Sequence, residues 1–388
     1  MTDTAHTKQQ ASLQILCNEP FRVFFPLGFF CSLIGVSHWL WYYSGLTETY
    51  SCHYHGLFQI QGFEIGFAAG FLMTALPRFL ETPPARPWEL FLGIALYLSG
   101  NIALYLERWI EAEIGFLSVI VFLLVFAARR FPKRQDTPPP DFLFIPFGFL
   151  HALAGGLLIL YPLPGLAKLG PRLVEQGMLL SFTMGIGPYL GARLLTGQTP
   201  DFPPLSPTRL FRNTLLGLAL FASFWVEAGI SQQAGLFLRA LAVSIQLFTS
   251  VPLTRPLTQP LWHLRFLRLA FFCIPAGLWL AALVPDYEIL ALHITFIGGF
   301  APLTFIVATR VITSHCGFEP LWQKNTRTVV VLVFALFFAF LSRMISDLWV
   351  DYYFGMLHIG AGFWLLGAIP WGLVWLPRMT PRHIDPSH

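Results

Sequence analysis

The stretch His55-Gly56-Leu57-Phe58-Gln59-Ile60-Gln61-Gly62-Phe63-Glu64-Ile65-Gly66-Phe67-Ala68-Ala69-Gly70-Phe71-Leu72-Met73-Thr74-Ala75-Leu76-Pro77 holds a single charged side chain, Glu64. Spanning a hydrocarbon core about 30 Å thick takes roughly 20 apolar residues as helix, so this stretch reads as a transmembrane helix. Eleven more such spans are expected: Phe21–Tyr42, Trp88–Leu106, Ile114–Ala128, Phe142–Leu160, Leu173–Leu195, Leu210–Ile230, Ala234–Val251, Leu264–Val284, Glu288–Arg310, Thr328–Ile345 and Met356–Leu376. Of the 388 residues, 55% are hydrophobic and 11% charged. Soluble domains carry about a quarter charged residues, so the chain is read as an all-α polytopic membrane protein.

Loop charges test the count, because cytoplasmic loops hold the excess Lys and Arg. With the N-terminus inside, four of the 24 basic residues fall outside: Arg108, Lys168, Arg172 and Arg343. Arg239 lies within the eighth span, and all the others are inside. A wrong count would scramble that alternation. The expected organisation is a cytoplasmic tail over 1–20, a twelve-helix domain over 21–377 and a cytoplasmic tail over 378–388. Residues Met1–Pro20 are polar and show no signal peptide, so an unstructured tail is expected there. The net charge of +4 follows from the inner-face bias and gives no reason to invoke nucleic acid. Five scattered cysteines make no disulfide framework.

Three outside-to-inside spans finish alike, at Arg78, Arg193 and Arg310, which are 115 and 117 residues apart. Each interval covers four helices, which suggests three pseudo-repeats of four. The plainer reading is an arginine snorkelling at each cytoplasmic end. The second span also carries Gly62, Gly66 and Gly70, a small-residue stripe that admits close approach of a helix or of a flat macrocycle. At 100° per residue His55 faces along that stripe.

Under this topology His38, His53, His55, His293 and His358 share one depth near the outer face. A lone membrane histidine is more often a hydrogen-bond donor between helices, a reading that suits His38, His151 and His358. His55 and His293 fit it less well, since both lie on members of the repeat. Imidazole is an axial ligand of haem iron, and two such rings on separate helices would make a b-type site. No Cys-x-x-Cys-His occurs, so covalent attachment is excluded. Thiolate and imidazole also suit copper, which makes Cys52, His53 and His55 a second candidate ligand set. Glu64, Asn101, Glu227, Arg239 and Gln246 are the other polar groups at depth. Glu64 and Glu227 could accept protons or pair with Arg239.

Three stretches resemble the NnrS family. The tenth span and its exit carry Ala291-Leu292-His293, Ala308-Thr309-Arg310-Val311 and Ser314-His315-Cys316-Gly317. The sixth carries Glu175-Gln176-Gly177, Gly185-Ile186-Gly187 and Arg193-Leu194-Leu195, and the second Gly70-Phe71-Leu72-Met73-Thr74-Ala75. Before the second span the family's Trp-His-x-His-Glu-Met is replaced by Cys52-His53-Tyr54-His55-Gly56-Leu57, which keeps only the paired histidines. The resemblance implies a bacterial inner-membrane protein containing haem and copper, linked to nitric oxide metabolism or nitrosative stress; the loop charges put both termini in the cytoplasm, and the paired imidazoles make the haem b-type. Together with the reading of the histidines, this gives haem on His55 and His293 and metal ligands among Cys52, His53, His55, His293 and His315, with Arg310 interfacial. The histidine positions also resemble the low-spin haem site of haem–copper oxidases, which have twelve helices in three groups of four. The sixth and seventh spans hold no histidine, so the ligands of a binuclear centre are missing. A transporter and a quinol-linked membrane oxidoreductase, working with a redox partner, remain alternatives.

Overall fold

The computed structural model describes residues 12–198 and 206–380. Lys8, Arg382 and most of both expected tails lie outside the described residues. The long helices are, in order, α1 (Phe21–Tyr43), α2 (Cys52–Phe79), α3 (Pro87–Tyr105), α4 (Trp109–Ala128), α5 (Phe144–Leu160) and α6 (Leu169–Thr196). They continue as α7 (Pro207–Gly229), α8 (Gln232–Ser250), α9 (Trp262–Leu283), α10 (Pro285–His315), α11 (Arg327–Leu348) and α12 (Tyr353–Trp375). Among the described residues there is no strand. Among the described residues ten helices are long and apolar enough to cross a membrane. The other two are α7 and α8, which carry Arg209, Arg212, Glu227 and Arg239.

Polar residues set the helix ends. The Ser51 hydroxyl accepts the Tyr54 N–H at 3.0 Å and so caps α2. Arg86 N–H donates to Glu89 at the start of α3, and Glu89 also pairs with Arg130 of the loop after α4 at 2.8 Å. Helix α4 begins five residues before the expected Ile114. Glu111 and Glu113 hid that start: Glu111 pairs with Arg108, while buried Glu113 accepts a hydrogen bond from Gln61 at 2.8 Å.

A feature absent from the sequence pattern recurs on α2, α6 and α10. Each contains one π-helical stretch: Phe58–Glu64, Leu173–Met178 and Ile294–Phe300. Such widened turns are rare and concentrate at functional sites. In their most apolar windows α2 and α6 are 78% and 67% buried, against 33% for α3 and for α11, so α2 and α6 are inner helices. Sequential neighbours pack together and α12 returns to pack on α1, which closes the bundle.

Gly62, Gly66 and Gly70 line the seam between α1 and α2. A Cβ on Gly66 would stand 2.7 Å from the Gly28 Cα, and one on Gly70 2.9 Å from the Phe21 Cα. The stripe therefore admits a helix and is not the wall of a ligand site. The angular argument that aimed His55 along it assumed 100° per residue, which fails because the π-helical stretch begins between His55 and Gly62.

Part of the expected unstructured N-terminal tail is ordered. Residues 12–18 are helical. Glu19 then accepts hydrogen bonds from Arg22 Nε at 2.6 Å and His315 Nδ1 at 2.9 Å, joining the N-terminal segment to the end of α10.

Candidate cofactor cavity

His55 and His293 line one cavity of about 340 Å³ formed between α1, α2, α10, α11 and α12, with Glu175 of α6 reaching its wall. Aromatic and aliphatic side chains such as Phe63, Phe296, Phe300 and Trp364 make up most of it, and Arg343 brings a positive charge. That volume and character suit a small-molecule or cofactor site.

Each imidazole is held by a backbone carbonyl. His55 Nδ1 bonds the Gly35 carbonyl of α1 at 3.0 Å, and His293 Nδ1 bonds the Ile289 carbonyl one turn earlier at 2.7 Å. A carbonyl only accepts, so Nδ1 carries a proton in both rings, and in the neutral ring the lone pair is then on Nε2. Among the described residues no hydrogen bond engages either Nε2. This is how proteins orient ligating histidines, with the second nitrogen fixing tautomer and ring plane.

Neighbours stiffen the arrangement. His38 Nε2 accepts the Ser51 N–H at 3.0 Å, so His38 secures the turn that starts α2 and carries His55. The Trp39 ring lies 5.0 Å from that of His55. His293 is the last α-helical residue before the π-helical stretch of α10. Two further polar atoms in residues lining the cavity, Gln59 Oε1 and Trp364 Nε1, have no partner among the described residues.

Of the remaining candidates Cys52 also lines the cavity, and the others lie elsewhere. Cys52 is exposed and its thiol donates to the Tyr50 hydroxyl at 3.1 Å, while the His53 ring packs 5.1 Å from Trp109. Residues 52, 53 and 55 fan around one helical turn, so the copper set read from Cys52, His53 and His55 is not gathered. Among the described residues no three His, Cys, Asp or Glu side chains come together as a metal site. His315 is at the far end of α10, where Nδ1 donates to Glu19 and Nε2 accepts from Arg78 at 2.9 Å. Arg310 there pairs with Glu319. His358 packs tilted against Tyr43 with ring centroids 4.5 Å apart, and His151 bonds the Phe147 carbonyl at 2.7 Å.

A model of the NnrS protein family matches residues 15–382. The chain belongs to the NnrS family. No curated protein matches it. In this NnrS chain the match takes in α1 to α12, and with them every residue of the cavity wall.

Two charged wall residues escaped the sequence reading of this NnrS chain. Arg343 entered only as one outer-face charge, and Glu175 only as part of a family segment. Their side chains reach the cavity from α11 and α6, a lateral placement that no spacing along the chain encodes. Glu227 proves to be paired with Arg239 and Arg172, and Glu64 accepts a hydrogen bond from Thr304, so neither supports a ligating histidine.

Proposed function

We propose that the chain is a haem-binding membrane protein of the nitric oxide response, with iron porphyrin held between His55 and His293. The carrying observation is that both rings line one cavity with Nδ1 tied to a carbonyl and Nε2 unengaged. The residues present fit the group: paired imidazoles, an apolar wall, the unpartnered Gln59 Oε1 and Trp364 Nε1, and one cation, Arg343, suited to an acidic substituent. Bound there, iron porphyrin would supply one-electron redox chemistry and affinity for small diatomic gases.

The protein's own contribution is to hold two neutral imidazoles at the start of α2 and in α10, and to exclude water with aromatic side chains. A wall of this kind tunes the potential of what it surrounds. The basic residues at the Arg78, Arg193 and Arg310 ends support a cytoplasmic placement of that side in an inner membrane, with the cavity toward the outer face. On this reading α7 and α8 also cross, giving twelve spans in three groups of four, and the three π-helical stretches mark the repeat.

The experiment is purification of the full chain followed by reduced-minus-oxidised spectra and iron and copper analysis. The expected result is a b-type spectrum with iron, altered or lost in His55→Ala and in His293→Ala. A spectrum unchanged in both variants would refute the assignment. A colourless, iron-free protein from haem-replete cells would refute haem binding altogether and leave the transporter reading. Added nitric oxide then distinguishes a gas-binding centre, whose reduced spectrum shifts, from a closed electron carrier.

A further inference from the structure

Most carboxylates packed inside the bundle meet an arginine. Glu89 pairs with Arg130, Asp141 with Arg209, Glu227 with Arg239 and Glu288 with Arg172. Glu64 does not. Among the described residues it makes no ion pair, and its one hydrogen bond comes from the Thr304 hydroxyl of α10 at 2.8 Å.

Its position separates it from Glu113 and Glu175. Glu64 ends the π-helical stretch of α2 and lines the His55/His293 cavity. It also lines a second cavity of about 110 Å³, whose wall is otherwise almost wholly apolar, with Phe67, Phe182, Phe271 and Val307 among its residues. That space runs from Glu64 between α2, α6, α9 and α10 toward the Arg78 end of the bundle. Among the described residues no cation pairs with this carboxylate to offset desolvation, and the cavity's Arg343 is taken by Asp347. Its charge is therefore balanced by whatever positive charge the first cavity contains, and membrane carboxyl groups so placed commonly carry protons.

We propose that Glu64 is the proton-binding site of the cavity, loading one proton when the group between His55 and His293 gains an electron and releasing it when that electron leaves. The inference rests on the iron porphyrin reading for its electron. The balance is one electron onto that group from an external one-electron donor and one proton from water onto a Glu64 oxygen. An O–H bond forms on reduction and breaks on oxidation.

Other titratable or charged groups face the same cavity. They are His55 and Cys52 of α2, Glu175 of α6, His293 of α10, Arg343 of α11, Tyr353 of α12 and Tyr50 of the loop before α2. The second cavity adds none besides Glu64. Both imidazoles keep their Nδ1 protons on carbonyls, Arg343 is paired with Asp347, and Tyr50 and Tyr353 share a hydrogen bond of 2.7 Å. Cys52 donates to Tyr50. Glu175 is the remaining rival, and its variant serves as the control.

The test is redox potentiometry of the purified full chain across pH, with dithionite as electron donor, joined to redox-difference infrared spectra. In the wild type the midpoint potential should fall with pH, approaching about 59 mV per unit, the one-electron value for a tenfold change. A protonated-carboxyl stretch should appear on reduction. Glu64→Gln should flatten the pH dependence and remove the band, whereas Glu175→Gln should keep both. A Glu64→Gln protein with slope and band intact, or loss of both in Glu175→Gln, overturns the proposal. If Glu64→Gln fails to fold, Thr304→Val decides, because removing the hydroxyl must displace the pH window and an unmoved window overturns the assignment. A colourless preparation removes the porphyrin reading, and pH-difference infrared on that preparation then tests Glu64 alone. A titrating carboxyl band absent from Glu64→Gln upholds the proton site, and its absence from the wild type overturns it.

Discussion

Glu227→Gln should destabilise the protein more than Arg239→Met, although the two residues form one ion pair. Arg239 has no exposed side-chain surface, and its guanidinium meets Glu227, Gln176 Oε1 at 2.5 Å and the Phe224 ring at 3.7 Å. Glu227 also takes Arg172, which reaches Glu288 at 2.7 Å, so two cations face two carboxylates. Loss of the Arg239 side chain leaves Glu227 with Arg172. Loss of the Glu227 charge strands Arg239 among neutral partners where solvent does not reach. Removing one partner of a buried pair costs about 3–5 kcal/mol, and Glu227→Gln should lie in that range. Apolar replacement of a buried pair is often near neutral, so the double variant Glu227→Gln/Arg239→Met should recover about 2 kcal/mol over Glu227→Gln. Thermal unfolding in one detergent at one scan rate ranks the four proteins, since membrane proteins seldom unfold reversibly and the order is what matters. A Glu227→Gln protein that melts with the wild type, or a double variant as weak as the two losses combined, would refute the reasoning.

Three further outcomes are expected. Gly115→Ala places a Cβ 2.4 Å from the Gly100 Cα where α3 crosses α4. The helices must part, so melting should show a loss of about 1–3 kcal/mol in place of the usual small gain from helical alanine. Glu19 lies outside the spans. Burial pushes its carboxyl up, but the His315 hydrogen bond and the Arg22 charge outweigh burial and hold it below the ordinary carboxylate range. A depressed folded value stabilises above the unfolded value, so melting should fall as pH drops below about 4.5, and Glu19→Gln should remove that part of the dependence. Trp39→Leu removes the ring 5.0 Å from His55 and should broaden or shift the visible spectrum while leaving iron content unchanged. An identical spectrum would mean that Trp39 does not orient that imidazole.

Much of the architecture was legible in the residues. Apolar run length located the helices within a few residues, and errors arose where charged groups lie inside a helix, as at Glu111 and Glu113 in α4. His55 and His293 stood out because an imidazole at the edge of an apolar run is conspicuous in any order of helices. The Cys52, His53 and His55 cluster was conspicuous for the same reason, but closeness along a helix is not convergence of side chains, and among the described residues no group of three metal-binding side chains forms.

Composition and run length by themselves determined the membrane character and the all-helical build, because hydrocarbon offers the backbone no partner and each span must satisfy its own hydrogen bonds locally. Charge alternation then implied which ends share a side. Only the tertiary structure decided that His55 and His293 open on one cavity, that the glycine stripe seats α1, and that Glu64 stands unpaired between two cavities. Those outcomes depend on lateral packing and on π-helical turns that shift the angular register, and neither leaves a periodic mark along the chain.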